Sequence, residues 1–438
     1  MQMRSYPRLD EKVFWDTLPN GLTVAVVPRQ GFSRKMAYFV TGFGSLHREF
    51  VMDSKTCRAP MGVAHFLEHK LFDMPGRDIS AEFAQMGASV NAFTSYDMTA
   101  YYFSCTENFS QCLDLLLEFV SQPYFTRESV EKEQGIIGQE IDMNRDAPET
   151  RIFENLVAAM YEKHPVREPI LGDRESIGRI TPQVLYDCHR GGYNPENMLL
   201  CVITDEDPET VCRQAWEKTR DMPCPKTTPL QDWQESMICP TKVVRDRMEV
   251  ARPMFQLGFK CESFAMGEQG IYQEFVGDLA AEALFGESSP LYLRLYEEGL
   301  IDPSFGGGLD TVPGMAMLSV AGDSDDPEAV RDAILQRAKE LAETGIAQTD
   351  FLRMKRSSLG GRIRGLDSFD SVCFRLCAYH FSGFDYFQFP EVYEKVKAED
   401  VVEFIRRVVT EDRCCLSVIE PKEDVYEQYY LSRSGLGA

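Results

Sequence analysis

Apolar residues gather in short β-branched and aromatic stretches at LTVAVVP (22–28), MAYFVTGFG (36–44), TAYYFSC (99–105) and MLLCVIT (198–204). Such stretches, bounded by turn formers, predict strands. Between them apolar positions recur three and four residues apart near 62–74, 79–87, 107–121, 127–144 and 149–162. That spacing predicts helices with one buried face. The periodicity lapses over 223–246, PCPKTTPLQDWQESMICPTKVVRD, where proline and polar residues predict a linker.

Beyond the linker a similar order returns. The strand-like MFQLGFKC (254–261) precedes helical patterns at FVGDLAAEALF (275–285) and PLYLRLYEEG (290–299), then a strand-like GMAMLSVAG (314–322). Laid over the first half, AEALF (281–285) falls on LEHKLF (67–72), Gly299 on Gly87, and 313–321 on 98–106. A constant order and spacing of this kind marks an old internal duplication. The expectation is an α+β protein of two homologous domains, residues 1–222 and 247–438, joined by 223–246. Each is a mostly antiparallel sheet packed with helices. The second copy reads Asp278, Ala281 and Glu282 where the first has His65, Glu68 and His69.

Composition narrows the function without naming it. The 69 acidic against 46 basic residues leave a net charge of −23, the wrong sign for a nucleic-acid partner. No apolar run reaches the ~20 residues of a membrane span, and MQMRSYPRLDEKVFW lacks a signal-peptide core. The thirteen cysteines are odd in number and scattered, which predicts reduced thiols in a cytoplasmic protein. Cys373, Cys377 and His380 share one helix face. Lacking a fourth ligand, they read as buried packing residues rather than a metal corner.

The stretch GVAHFLEHKLF (62–72) changes the picture, because it places two of the six histidines four residues apart. On a helix Glu68 lies at about 300° and His69 at about 40° from His65, so the three share an arc of about 100°. Val63, Ala64, Leu67, Leu71 and Met74 form an apolar stripe beside that arc. The His-x-x-Glu-His order is the inverzincin signature, in which both imidazoles hold zinc. A catalytic zinc takes three protein ligands. Residues 127–146 supply candidates: Val130, Ile137 and Ile141 form the buried stripe, and Glu133 and Glu140 flank it. Seven residues put these carboxylates ~10.5 Å apart along the axis, so only one can ligate. Helix geometry leaves the choice open.

The combined motif resembles that of the pitrilysin/insulinase zinc metallopeptidases, His-x-x-Glu-His followed at long range by Glu-x6-Glu. Seventy residues lie between His69 and Glu140 here. The resemblance makes Glu140 the third ligand of one Zn2+ per chain, Glu68 the general base and Glu133 a supporting catalytic residue. VNAFTSYDMTAYYF (90–103) is similar to the family's edge strand and implies substrate contacts from Asn91, Ala92 and Thr94. HPVREPILGDRESIGRITPQVLYDCHRGGYNPENMLLCVITD (164–205) and LFGESSPLYLRLYEEGLIDPSF (284–305) extend the likeness, the latter mapping a substrate-contacting arginine to Arg294. The implied fold is a clamshell of two domains. The implied activity is endopeptidase cleavage of peptides or unfolded segments, in the short processing-peptidase-like subgroup. Such proteins act as homodimers or as heterodimers with a related subunit lacking the zinc motif. One position departs: relatives carry a tyrosine seven residues after the arginine, where this chain has Ile301 followed by Asp302. That departure keeps a non-catalytic or partner-dependent subunit as the alternative.

Overall fold

The computed structural model describes residues 1–231 and 233–422. Residue 232 of the expected linker, and 423–438 at the end of the expected second domain, lie outside the described residues. In the first half the strands of the main sheet are β1 (Gln2–Tyr6), β2 (Glu11–Thr17), β3 (Thr23–Pro28), β4 (Lys35–Thr41), β5 (Ser89–Thr94), β6 (Thr99–Cys105) and β7 (Met198–Thr204). They form one sheet in the order β1-β2-β3-β7-β4-β6-β5. Every neighbouring pair is antiparallel except β3–β7. Strand β7 is buried at all seven positions, as its unbroken apolar run requires of a central strand.

Besides Arg174–Gly178 and Pro208–Thr219, the helices of this half are α1 (Val63–Leu71), α2 (Ile79–Gln85), α3 (Phe109–Ser121), α4 (Arg127–Arg145), α5 (Pro148–Met160) and α6 (Pro182–Gly192). Phe66 and Leu67 of α1, Phe83 of α2, Tyr101 and Phe103 of β6 and Phe119 of α3 meet in a common core. Helix α1 packs on β5 and β6.

The second half repeats this plan. Its strands are β8 (Val243–Met248), β9 (Met254–Cys261), β10 (Gly306–Val312), β11 (Met315–Asp323) and β12 (Cys414–Pro421), ordered β8-β12-β9-β11-β10. Again one pair, β8–β12, is parallel and the others are antiparallel. This matches β3-β7-β4-β6-β5 strand for strand. The helices α7 (Glu268–Phe285), α8 (Pro290–Glu297), α9 (Pro327–Thr344), α10 (Gln348–Arg364), α11 (Phe369–Phe381) and α12 (Ala398–Val408) follow the order of α1 to α6.

The match extends to single hydrogen bonds. After α2, Gly87 has φ +75° and its N–H donates to Ala84 O while Ala88 N–H donates to Phe83 O. After α8, Gly299 has φ +71°, with Gly299 N–H donating to Tyr296 O and Leu300 N–H to Leu295 O. Both are Schellman caps, which need a residue free to adopt the left-handed conformation.

Among the described residues contacts divide the chain into two compact units: 1–141 with 169–231 and 362–390, and 142–168 with 233–361 and 391–422. A boundary within 223–246 separates the two sheets but not all the helices. Helix α5 packs on β12, β9 and β8 of the second unit, and α11 packs on β7 and β4 of the first. The stretch expected as a linker is also partly built in: Thr227–Pro229 pairs with Glu49–Met52, and residues 243–246 belong to β8. Among the described residues no helix is long and apolar enough to cross a membrane.

Candidate metal centre

Seven of the nine residues of α1 are buried, including His65, while Glu68 and His69 lie at the margin of that face. Helix α4 buries Val130, Ile137, Gly138 and Ile141, which leaves Glu133 and Glu140 at its border. These two borders meet. His65 Nε2 lies 3.6 Å from one oxygen of Glu140, and His69 Nε2 lies 3.5 Å from the other. Donor atoms of His65, His69 and Glu140 all fall within 4.8 Å of one another, the one such convergent group among the described residues.

Glu133 takes a different position. Its Oε1 lies 3.0 Å from His69 Nδ1, so a proton on Nδ1 donates to the carboxylate and the Nε2 lone pair faces Glu140. Burial pulls the His69 pKa down, but the hydrogen bond to Glu133 and the charges of Glu133, Glu140 and Glu68 carry it above the ordinary value. The Glu140 carboxyl is held below its usual range, first by its hydrogen bond to His65, against an opposing effect of burial. Glu68 Oε2 accepts a 2.6 Å hydrogen bond from the Thr94 hydroxyl at the end of β5.

These residues fit a zinc ion by donor chemistry and by spacing. Tetrahedral zinc with nitrogen and oxygen ligands at about 2.0–2.2 Å spaces its donors about 3.3–3.5 Å apart, close to the two separations from Glu140. His65 Nδ1 is buried without a hydrogen-bond partner among the described residues. No protein contact therefore competes with the direction in which this ring presents Nε2.

Of the residues expected at the site, His65, Glu68, His69, Thr94, Glu133 and Glu140 come together. Asn91 and Ala92 lie on the same edge strand as Thr94, and Ala92 N–H donates to Asn91 Oδ1 at 2.8 Å. Arg294 is an exposed residue of α8 in the second unit. Ile301 is 3% exposed and packs in that unit's core, while Asp302 turns to Ser304 and Arg252. Cys373 and Cys377 are buried, with Cys373 Sγ 3.7 Å from Cys201 Sγ, and His380 stacks on Trp15 instead.

One residue escaped the sequence reading. Lys70 is fully buried, and its ammonium bonds Asp73 and lies 3.5 Å from the Ser129 carbonyl at the start of α4. It therefore spans from the histidine helix to the glutamate helix. Its signal was present: Lys70 stands three after Leu67 and seven after Val63, on the buried stripe.

The chain is similar to known proteins through both of its halves. Residues 58–174 match the profile of Insulinase (Peptidase family M16), and residues 179–358 that of the Peptidase M16 inactive domain. An uncharacterized zinc protease of Bacillus subtilis, YmfH, is 36% identical over 425 residues, which cover 95% of this chain and 98% of the relative. The crystal structure of a putative M16-like peptidase from Alicyclobacillus acidocaldarius superposes with a TM-score of 0.90 at 31% identity, over 94% of this chain and 99% of that one. A protease from Helicobacter pylori shares the fold, with a TM-score of 0.81 at 19% identity over 94% of this chain and all of that one. A likeness that runs through both halves of the chain, at this identity, makes the protein a member of the pitrilysin/insulinase (M16) family of zinc metallopeptidases.

Proposed function

We propose that the protein is a zinc-dependent endopeptidase that hydrolyses peptides or unfolded polypeptide segments. The observation that carries this reading is the convergence of His65, His69 and Glu140 beside Glu68. One zinc ion per chain, bound by those three residues, would polarise carbonyl groups and lower the pKa of water toward about 7. Glu68 acts as general base: it takes the proton of the attacking water and returns it to the leaving amine. The Thr94 hydroxyl on Oε2 fixes the carboxylate of Glu68 and leaves Oε1 for that transfer. Glu133 orients the His69 ring through Nδ1.

The substrate enters as an added strand. Strand β5 ends its sheet, and the Ser95 N–H···O=C Met98 bond of 2.8 Å sets the parity of its ladder. Ladder bonds fall on alternate residues, so Asn91 and Phe93 bond to β6 while Val90, Ala92 and Thr94 turn N–H and C=O to the free edge. Main-chain hydrogen bonds there bind an extended peptide with little demand on its sequence. Arg294 supplies a further substrate contact. The thirteen free thiols suit a reducing, cytoplasmic setting.

Metal analysis and a peptide-library digest test this function. The expected result is about one zinc per chain, with Glu68→Gln keeping the metal and losing hydrolysis. Wild type without stoichiometric zinc, or a Glu68→Gln protein that cleaves as well as wild type, overturns it. Burial of Ile301, where relatives carry a tyrosine, favours a second reading as a partner-dependent subunit. Activity of the purified homogeneous chain, as monomer or homodimer, separates that reading from the first.

A further inference from the structure

We propose that Lys70 is a positioning residue of the metal centre: together with His69 it clamps one turn of α4 and so sets where Glu140 meets the two imidazoles. The proposal rests on the zinc-peptidase reading and adds a residue that acts through α4 rather than on the metal.

Helix α4 needs such a hold. Four of its nineteen residues are buried, and three of these, Ile137, Gly138 and Ile141, lie together. The half that carries Glu133 buries Val130 alone. Gln134 steadies one flank of it by donating to Ile180 O at 3.0 Å. Apolar contact therefore does little to fix the rotation or the height of that half. Yet Glu133 must reach His69, and Glu140 must reach both histidines.

Helix α1 supplies two contacts from adjacent residues. His69 Nδ1 lies 3.0 Å from Glu133 Oε1, and the Lys70 ammonium lies 3.5 Å from Ser129 O. A helix carbonyl faces the N–H four residues on, so Ser129 and Glu133 bound the same turn. Neighbouring side chains on a helix diverge by about 100°, so α1 holds that turn at two points rather than one. The start of α4 is braced to pass the hold on. Ser129 N–H donates to Thr126 Oγ1 at 3.2 Å, and Thr126 N–H donates to Ser129 Oγ at 3.3 Å.

A stabilising role does not account for a lysine here. Its side chain is 0% exposed, whereas its carboxylate partner Asp73 is 51% exposed. Desolvating an ammonium costs more than a pair of this kind returns, and an apolar side chain of similar length fills the same space. What methionine would lack is a donor for Ser129 O, while the Asp73 it leaves behind keeps its water.

Zinc affinity by chelator competition, the visible spectrum of cobalt-loaded protein and the melting temperature are compared in wild type, Lys70→Met, Glu133→Gln and the double variant. Lys70→Met is expected to melt no lower than wild type, yet to bind zinc about 10-fold more weakly and to shift the cobalt bands. Because both residues hold one turn, the double variant should lose much less than the two single losses combined. A lowered melting temperature with unchanged zinc affinity and cobalt spectrum makes Lys70 structural only and overturns the proposal. Independent losses in the double variant overturn it too. Should Lys70→Met not fold, Asp73→Asn at its half-exposed position carries the test. It is expected to weaken zinc binding by a smaller factor, and unchanged affinity overturns the clamp. Wild type that takes up neither metal overturns the peptidase reading, and the proposal falls with it. Metal binding weakened only in the variants sustains both.

Discussion

The two units share a frame and differ in what they hang on it. Helix α1 presents His65, Glu68 and His69, and the corresponding positions of α7 are Asp278, Ala281 and Glu282. Counted from the first residue of each helix, Glu133 and Glu140 of α4 become Met354 and Gly361 of α10. Yet strand order, the parallel pair and the glycine caps are the same in both. Apolar positions specify the frame, so all five side chains can be replaced in one copy without disturbing it. The lesson is that chemistry here is separable from architecture.

The largest effect should come from breaking that separation at the ligands. His69→Ala or Glu140→Gln is expected to abolish stoichiometric zinc and peptidase activity. Glu282→Gln, at the position equivalent to His69, should leave both within twofold. Metal analysis of the three purified variants checks the contrast. Zinc loss from the Glu282 variant would show that the second copy has a share in the site.

The interleaved helices allow an equally severe test. A fragment of residues 1–232 has the whole first sheet but lacks α11, which covers β7 and β4. It is expected to show no cooperative thermal transition, whereas the intact chain shows one. A fragment that melts cooperatively would make the exchange of helices dispensable.

A smaller effect is expected from Glu133→Gln, which keeps a partner for His69 Nδ1 but removes its charge. Zinc affinity should fall by about 10- to 100-fold, measured by competition with a chelator, with the fold intact by circular dichroism.

Acid should act unequally on the two copies. His189 of α6 is buried, donates from Nε2 to Val120 O at 2.9 Å, and corresponds by helix position to the buried Ile405 of α12. Burial depresses the His189 pKa to about 4, against a weaker raising effect of the Val120 carbonyl. An unfolded histidine titrates near about 6.5, so the unfolded chain binds the extra proton between these values. The contribution of neutral His189 is full above about 6.5 and lost as pH falls toward 4. Urea unfolding at pH 7 and pH 5 should show less loss for His189→Leu than for wild type.

The smallest effects should be matched ones. A Cβ at Gly87 or Gly299 meets nothing within 4 Å, so only the positive φ opposes it. Gly87→Ala and Gly299→Ala should each destabilise by about 1–2 kcal/mol. Unequal values would show that the two caps are not equivalent.

Much of this was legible in the residues. The stretches at 99–105 and 198–204 coincide with β6 and β7, and the buried stripe of α4 contains Val130, Ile137 and Ile141 as expected. These are local patterns of strong periodicity. Strand β1 was missed because QMRSY is exposed at four of its five positions. The amphipathic patterns of α5 and α11 announce a buried face but not which sheet will cover it, since that partner is distant in the chain. The Thr94–Glu68 bond is invisible for the same reason, as it joins a strand to a helix 26 residues earlier. Helix geometry alone left Glu133 and Glu140 open; the resemblance chose Glu140, and its oxygens lie 3.6 and 3.5 Å from the two imidazoles, a meeting of two helices that no single helix encodes.

The placement of α11 has a consequence for the order of events during synthesis. Residues 362–390 complete the unit that carries His65, Glu68, His69 and Glu140, and they leave the ribosome late in a chain of 438. Nascent chains fold domain by domain from the N-terminus, but here the earlier unit must wait for a helix from the later half. Translation thereby works as a timer: a polypeptide interrupted before residue 362 has every proposed ligand and the proposed general base together with a complete first sheet, and lacks the helix that covers β7 and β4.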